Sequence, residues 1–243
     1  EIAVMEVIIG LSTPAQGFRN AKISLWRAAE LDLQSTEFYA AAGFVALCCD
    51  WNFMEAEKNL RKTIDHNPHH AFANKYLGEA LMYQGRLDEA EIYLLRAIEI
   101  EPMDFHHRFA LLIYTFFTQN YQEVIEECER LLVNYPHLVV AGWMRCWGLD
   151  MIGRSAEAIT EYKKILLQPG GELAWRWIGH SYALLGQREN ALDVAARLEA
   201  ESREHYLSPT YQSLIYVGLN NKDKAYSYLE KSMGDRDPWI LWT

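Results

Sequence analysis

Apolar side chains along the chain return every three or four residues in blocks of about twelve to fourteen, the signature of helices that bury one face. Ala90, Tyr93, Leu94, Ala97 and Ile98 form one such stripe. The blocks themselves recur. Small residues stand at Ala56, Ala90, Val124, Ala158, Ala191 and Ala225, at successive spacings of 34, 34, 34, 33 and 34. Pro68, Pro102, Pro136 and Pro169 keep the same beat, each placed where an amphipathic block must stop. Gly85-Arg86, Gly153-Arg154 and Gly186-Gln187 each begin five residues before their alanine, which suits a tight turn that uses glycine's access to positive φ. Each period therefore predicts helix, turn, helix. The recurring small residue has a mechanical reason, because two helices approach to about 8 Å only where a small side chain lets them.

Six periods are clear over residues 35–205 and into 206–243, where the last one also supplies a C-terminal cap. A divergent first repeat is expected over residues 1–34, where Ala21 and Ala28 reproduce the spacing of Ala90 and Ala97 after an apolar helix at Ile2 to Ile9. Trp175, Ile178, Gly179, Tyr182 and Ala191 follow the pattern W-x2-L-G-x2-Y with a downstream alanine, and Leu77, Gly78, Ala90, Leu94, Ala97 and Pro102 give a second instance. In these residues the chain resembles the tetratricopeptide repeat family. That resemblance implies an all-α fold, about seven helix-turn-helix repeats stacked in a single right-handed superhelical solenoid. Some positions depart from the family pattern. Asn74, Arg108, Gly142 and Pro209 stand where it has tryptophan, and Arg145 replaces a large apolar residue, which requires a carboxylate partner or an outward turn.

Composition narrows the function. Twenty-three Lys plus Arg against 33 Asp plus Glu leave a net charge of −10, the wrong sign for a nucleic-acid or membrane-surface binder. No apolar run approaches the ~20 residues that cross a bilayer. Cys48, Cys49, Cys128 and Cys146 form no CxxC pair, which fits reduced thiols and a cytoplasmic location. A first residue other than methionine suggests a piece of a longer polypeptide. No Walker loop, GxGxxG, GxSxG or HExxH occurs, so neither catalysis nor a cofactor is expected. His66, His69, His70, His106 and His107 gather near two repeat junctions, where a metal is conceivable, but helix-end histidines are the commoner case and no metal site is assigned. Asp50, Glu55 and Glu57 read as turn and first-turn acids.

In the family the first helix of each repeat lines the concave face. Repeat register then nominates Lys75, Tyr76, Phe109, Trp143, Trp147, Arg176, Trp177 and His180 as partner-binding residues, with aromatic anchors and basic orienting groups. Phe109 to Phe117 is apolar all round a helix and calls for cover on every side. Two states of this face stay open. If it is a groove, Trp143→Ala with Trp177→Ala removes capture and leaves the fold; if the aromatics fill it, folding is lost. Trp239 and Trp242 at the end also call for cover. The family's carboxylate clamp for chaperone tails does not carry over, since Glu79 and Ala110 occupy two of its positions. Ser12 to Ala28, Asp50-Trp51-Asn52 and Asp235-Arg236-Asp237-Pro238-Trp239 look like the repeat segments of bacterial signalling proteins, which follow an effector domain. The expected function is capture of a protein or peptide segment, including the chain's own upstream domain or a second copy, as a regulatory or scaffolding part. The alternatives are a role set by an upstream nucleotide cyclase, serine/threonine kinase or winged-helix regulator, and a sensor of a small apolar ligand.

Overall fold

The computed structural model describes residues 2–8, 10–31, 35–169 and 171–242. Its contacts divide the chain into two compact units, one up to Tyr114 and one from Thr115 to Leu241. The N-terminal unit holds α1 (Ile2–Ile8), α2 (Pro14–Leu31), α3 (Thr36–Cys48), α4 (Phe53–His66), α5 (Ala71–Tyr83), α6 (Leu87–Ile100) and most of α7 (Phe105–Phe117). The C-terminal unit holds the end of α7, then α8 (Tyr121–Asn134), α9 (Val139–Met151), α10 (Ser155–Ile165), α11 (Trp175–Leu184), α12 (Arg188–Glu201), α13 (Pro209–Gly218) and α14 (Lys222–Asp235). Two 3-10 turns, Gly171–Ala174 and Pro238–Trp242, complete it. The fold is an all-α helical-repeat solenoid. Among the described residues there is no strand, and no helix is long and apolar enough to cross a membrane.

Local chemistry sets the helix starts. The Ser35 hydroxyl accepts from the Phe38 N–H at 3.1 Å, and the Asn52 and Asn221 side chains accept from Glu55 and Lys224 at 3.1 and 3.2 Å. Turns repeat as well. Residues with positive φ fall at Trp51, Gly85, Gln119, Gly153, Gly186 and Asn220, at the 34- or 33-residue beat of the array. Glycine satisfies that left-handed position freely in three repeats, whereas Trp51, Gln119 and Asn220 adopt it against side-chain strain.

The recurring small residues sit where paired helices touch. Ala56, Ala90, Val124, Ala158 and Ala191 are fully buried. At Gly78 the approach is close: a methyl there would lie 2.6 Å from Leu94 Cγ and 3.0 Å from the Ala90 carbonyl oxygen. Gly43 meets Leu60 and the Ala56 carbonyl in the same way one repeat earlier. In the stretch expected to hold a divergent first repeat, α1 and α2 bury Val4, Val7, Phe18 and Ala21. The expected junction at residue 34 lies outside the described residues. Arg145 is partnered, its guanidinium 3.0 Å from Glu129 and 3.9 Å from Glu161.

Candidate functional site

Within the N-terminal unit, α5 presents Phe72, Lys75 and Tyr76 one helical turn apart. Tyr76 stacks against Phe72 and Phe44 at ring distances of 4.5 and 4.7 Å. The Lys75 ammonium lies 4.1 Å over the Tyr76 ring and 3.6 Å from Glu79. Burial pushes the Glu79 carboxyl up, opposed by Lys75 and then by His107. Lys75 is thus a tethered cation over an aromatic floor. Beside it opens a cleft of about 360 Å³ whose walls include Phe72, Lys75, Tyr76, His70, His106, His107, Glu101 and Asp104. Phe109, on α7, is half-buried with its ring 5.9 Å from Phe105.

The C-terminal unit gathers the other candidates into one aromatic cluster. Trp177 on α11 contacts Trp147 and Trp143 of α9 at 4.4 and 6.1 Å and Tyr211 of α13 at 4.6 Å. Trp239 closes over them from the C-terminal turn. Its ring lies 5.0 Å from Trp177 and 5.9 Å from both Trp143 and Tyr211, and it is only 6% exposed. Asp237 pins this segment: it is wholly buried, accepts from the Thr210 hydroxyl at 2.9 Å and from the Ser208 hydroxyl, and caps the turn at the Trp239 N–H, 3.3 Å away. Trp147 and Trp177 are buried and Trp143 half-buried. Arg176 is spent internally, 3.0 Å from Glu201 and over the Tyr211 ring. Burial pushes His180 down to about 4, so near neutrality it carries no charge with which to orient an anion.

Residues 52–104 match the family model of the tetratricopeptide repeat. Over this segment the chain is similar to the tetratricopeptide repeat. Among solved structures it is similar to a tetratricopeptide repeat protein from Parabacteroides merdae ATCC 43184, at 17% identity and a TM-score of 0.68 over 84% of this chain and 79% of that one. It is also similar to PilW, described as a widely conserved type IV pilus biogenesis factor, at 17% identity and a TM-score of 0.60 over 82% of this chain and 92% of the other. At such identities the likeness is one of fold. No curated protein matches the sequence.

The remaining polar groups of the repeats have local roles. Glu57 binds Arg61 at 2.8 Å and Arg86 at 2.7 Å, and Arg86 also binds Glu89 at 2.7 Å, which ties the second helices of adjacent repeats. Asp50 pairs with Lys22. None of the four cysteines is in a disulfide, and burial pushes Cys128 up to about 12, which makes it a packing residue rather than a nucleophile. His66 contacts the Lys62 carbonyl at 2.7 Å, an ordinary helix-end arrangement. His107 is different. It is 4% exposed, its Nε2 lies 3.1 Å from Glu101, and its Nδ1 is buried with no hydrogen-bond partner among the described residues. Sequence reasoning missed Glu101 and Asp104, and named Asp237 and Trp239 only within a tail that calls for cover. The tail tryptophans and the junction histidines were the signals that pointed near them.

Proposed function

We propose that this array of tetratricopeptide repeats is a protein-interaction module that captures a peptide or protein segment on the α5 side of its N-terminal unit. The observation that carries this reading is the cleft beside Lys75 and Tyr76. It combines an aromatic floor with charged walls of both signs, the composition that recognises an extended segment by stacking and by its charges. The aromatic face of the C-terminal unit is covered instead by Trp239, so Trp143, Trp147 and Trp177 serve capture there only by framing a rigid scaffold. We place this activity in the cytoplasm, consistent with four cysteines that form no disulfide, as the regulatory or scaffolding part of a bacterial signalling polypeptide.

A displayed library of random peptides, selected on the tag-free chain, tests the reading. Lys75→Met and Phe72→Ala should each weaken the selected peptides at least about tenfold, the cost of losing one charge-assisted or aromatic contact of ~1.4 kcal/mol or more. Circular dichroism should remain that of the parent. Selected peptides that bind both variants as tightly as the parent would show that the cleft is not the site.

A further inference from the structure

We propose that Glu101, Asp104 and His107 form a binding site for a divalent first-row transition ion of the zinc class. The three residues follow one another at intervals of three, from the end of α6 through the Pro102–Met103 turn into the first turn of α7. This brings one donor atom of each within 4.8 Å of the others. The spacing suits the ion. Donors held about 2.1 Å from a tetrahedral centre lie about 3.4 Å from one another. His107 Nε2 is 3.1 Å from Glu101 Oε2 and 3.9 Å from Asp104 Oδ2, distances on either side of that separation.

Three features make this a prepared site rather than a surface group of acids. His107 is almost wholly buried, so packing fixes its ring, and the edge bearing Nε2 is the one directed at the two carboxylates. Among the described residues Nδ1 has no hydrogen-bond partner, so the ring's polar contact there is toward the cluster. Asp104 is itself oriented from behind. Its Oδ1 accepts from the His106 backbone N–H at 2.8 Å and contacts His106 Nδ1 at 2.9 Å, which leaves Oδ2 on the His107 side.

Charge points the same way. The carboxylates of Glu101 and Asp104 together carry −2, and the nearby Lys75 is already paired with Glu79. A divalent ion offsets both carboxylates. The mixed nitrogen and oxygen donors select against calcium and magnesium, which take oxygen sets, and favour zinc-like ions. Three protein donors leave the remaining coordination to solvent from the cleft.

Calorimetric titration of the tag-free chain with zinc chloride, in excess magnesium, tests the proposal independently of any peptide. One equivalent should bind to the parent. Glu101→Gln and Asp104→Asn lie at positions open enough to leave the helices intact and should each weaken binding at least about tenfold. His107→Gln should abolish it. His66→Gln with His69→Gln, both exposed, should leave it unchanged. No uptake by the parent, equal affinity in the two carboxylate variants, or loss in the His66/His69 variant would overturn the assignment. The carboxylate variants decide the matter even if His107→Gln fails to fold.

Discussion

Trp239→Ala removes the ring that lies between Trp177, Trp143 and Tyr211, at 5.0, 5.9 and 5.9 Å, and leaves an apolar void beneath the C-terminal turn. The side chain is 6% exposed, so nearly all of its contact area is lost. Truncating a buried tryptophan to alanine costs about 3–5 kcal/mol, a figure that includes the ~0.5–1.5 kcal/mol that favourable aromatic pairs add to area burial. Partial collapse of the turn, still pinned through Asp237, places the expected value near the lower end, about 3 kcal/mol. In a repeat array such a loss is felt mainly by the neighbouring repeats. Urea unfolding followed by tryptophan fluorescence, with hydrogen exchange read separately over 209–235, measures both the size and the place. With a slope of about 2 kcal/mol per molar, the midpoint of the C-terminal transition should fall by about 1.5 M, and α13 should lose protection before α5 does. Trp239→Phe should recover part of the loss. A cost below about 1 kcal/mol with α13 still protected would refute the reasoning, since the aromatic cluster would then be an open surface and Trp143 and Trp177 its anchors.

Other perturbations test other links. Asp150 is buried and receives the Ser181 hydroxyl at 2.6 Å, yet burial pushes its carboxyl up to about 6, against the Ser181 and Ser155 hydroxyls, from an ordinary value of 3.8. The folded state therefore holds a proton that the unfolded state releases, and stability falls as pH rises from about 4 through 6, by about 3 kcal/mol in total. Asp150→Asn should accordingly gain on the parent between pH 4 and pH 7.5 in denaturant melts, and a difference that does not change with pH would contradict this. Gly153→Ala meets nothing within 4 Å, so its expected cost of about 1 kcal/mol comes from the positive φ alone, whereas Gln119→Gly, at the equivalent turn, should be neutral or stabilising by up to about 1 kcal/mol. Thermal melts of the two variants should move in opposite directions or the strain argument fails. Gly78→Ala drives a methyl against Leu94 and the Ala90 carbonyl, and should cost about 1–3 kcal/mol despite alanine's better helix propensity.

The repeat frame was legible because close helix contact leaves a compositional trace: only small residues fit at Ala56, Ala90 and their equivalents, and only the chain's own period places them. Three of the six left-handed turns were legible for the same reason, as glycines. Trp51, Gln119 and Asn220 were not, because an ordinary residue enters that conformation only when the flanking helices demand it. Repeat register set the aromatic residues of α9 and α11 on one face as partner-binding candidates, but it carries no information on what lies over them. Trp239 reaches them through a non-periodic return of the chain, fixed by a buried Asp237 whose partners, Ser208 and Thr210, are 29 and 27 residues away. Lys75 and Arg176 were read as basic groups that orient a partner, yet each had a carboxylate within reach: Glu79 one helical turn on, and Glu201 on the following helix. The Glu101, Asp104 and His107 set lay across a helix end, where a helical period no longer says which side chains converge.

The central claim is capture of a segment in the cleft of the N-terminal unit. It is tested most directly by backbone amide chemical shifts of the isotopically labelled chain during titration with a peptide selected on it. The account requires saturable shifts that concentrate on residues 67–76 and 101–107. Shifts that gather instead on α9, α11 and α13, or on the second helices of the repeats, would contradict it.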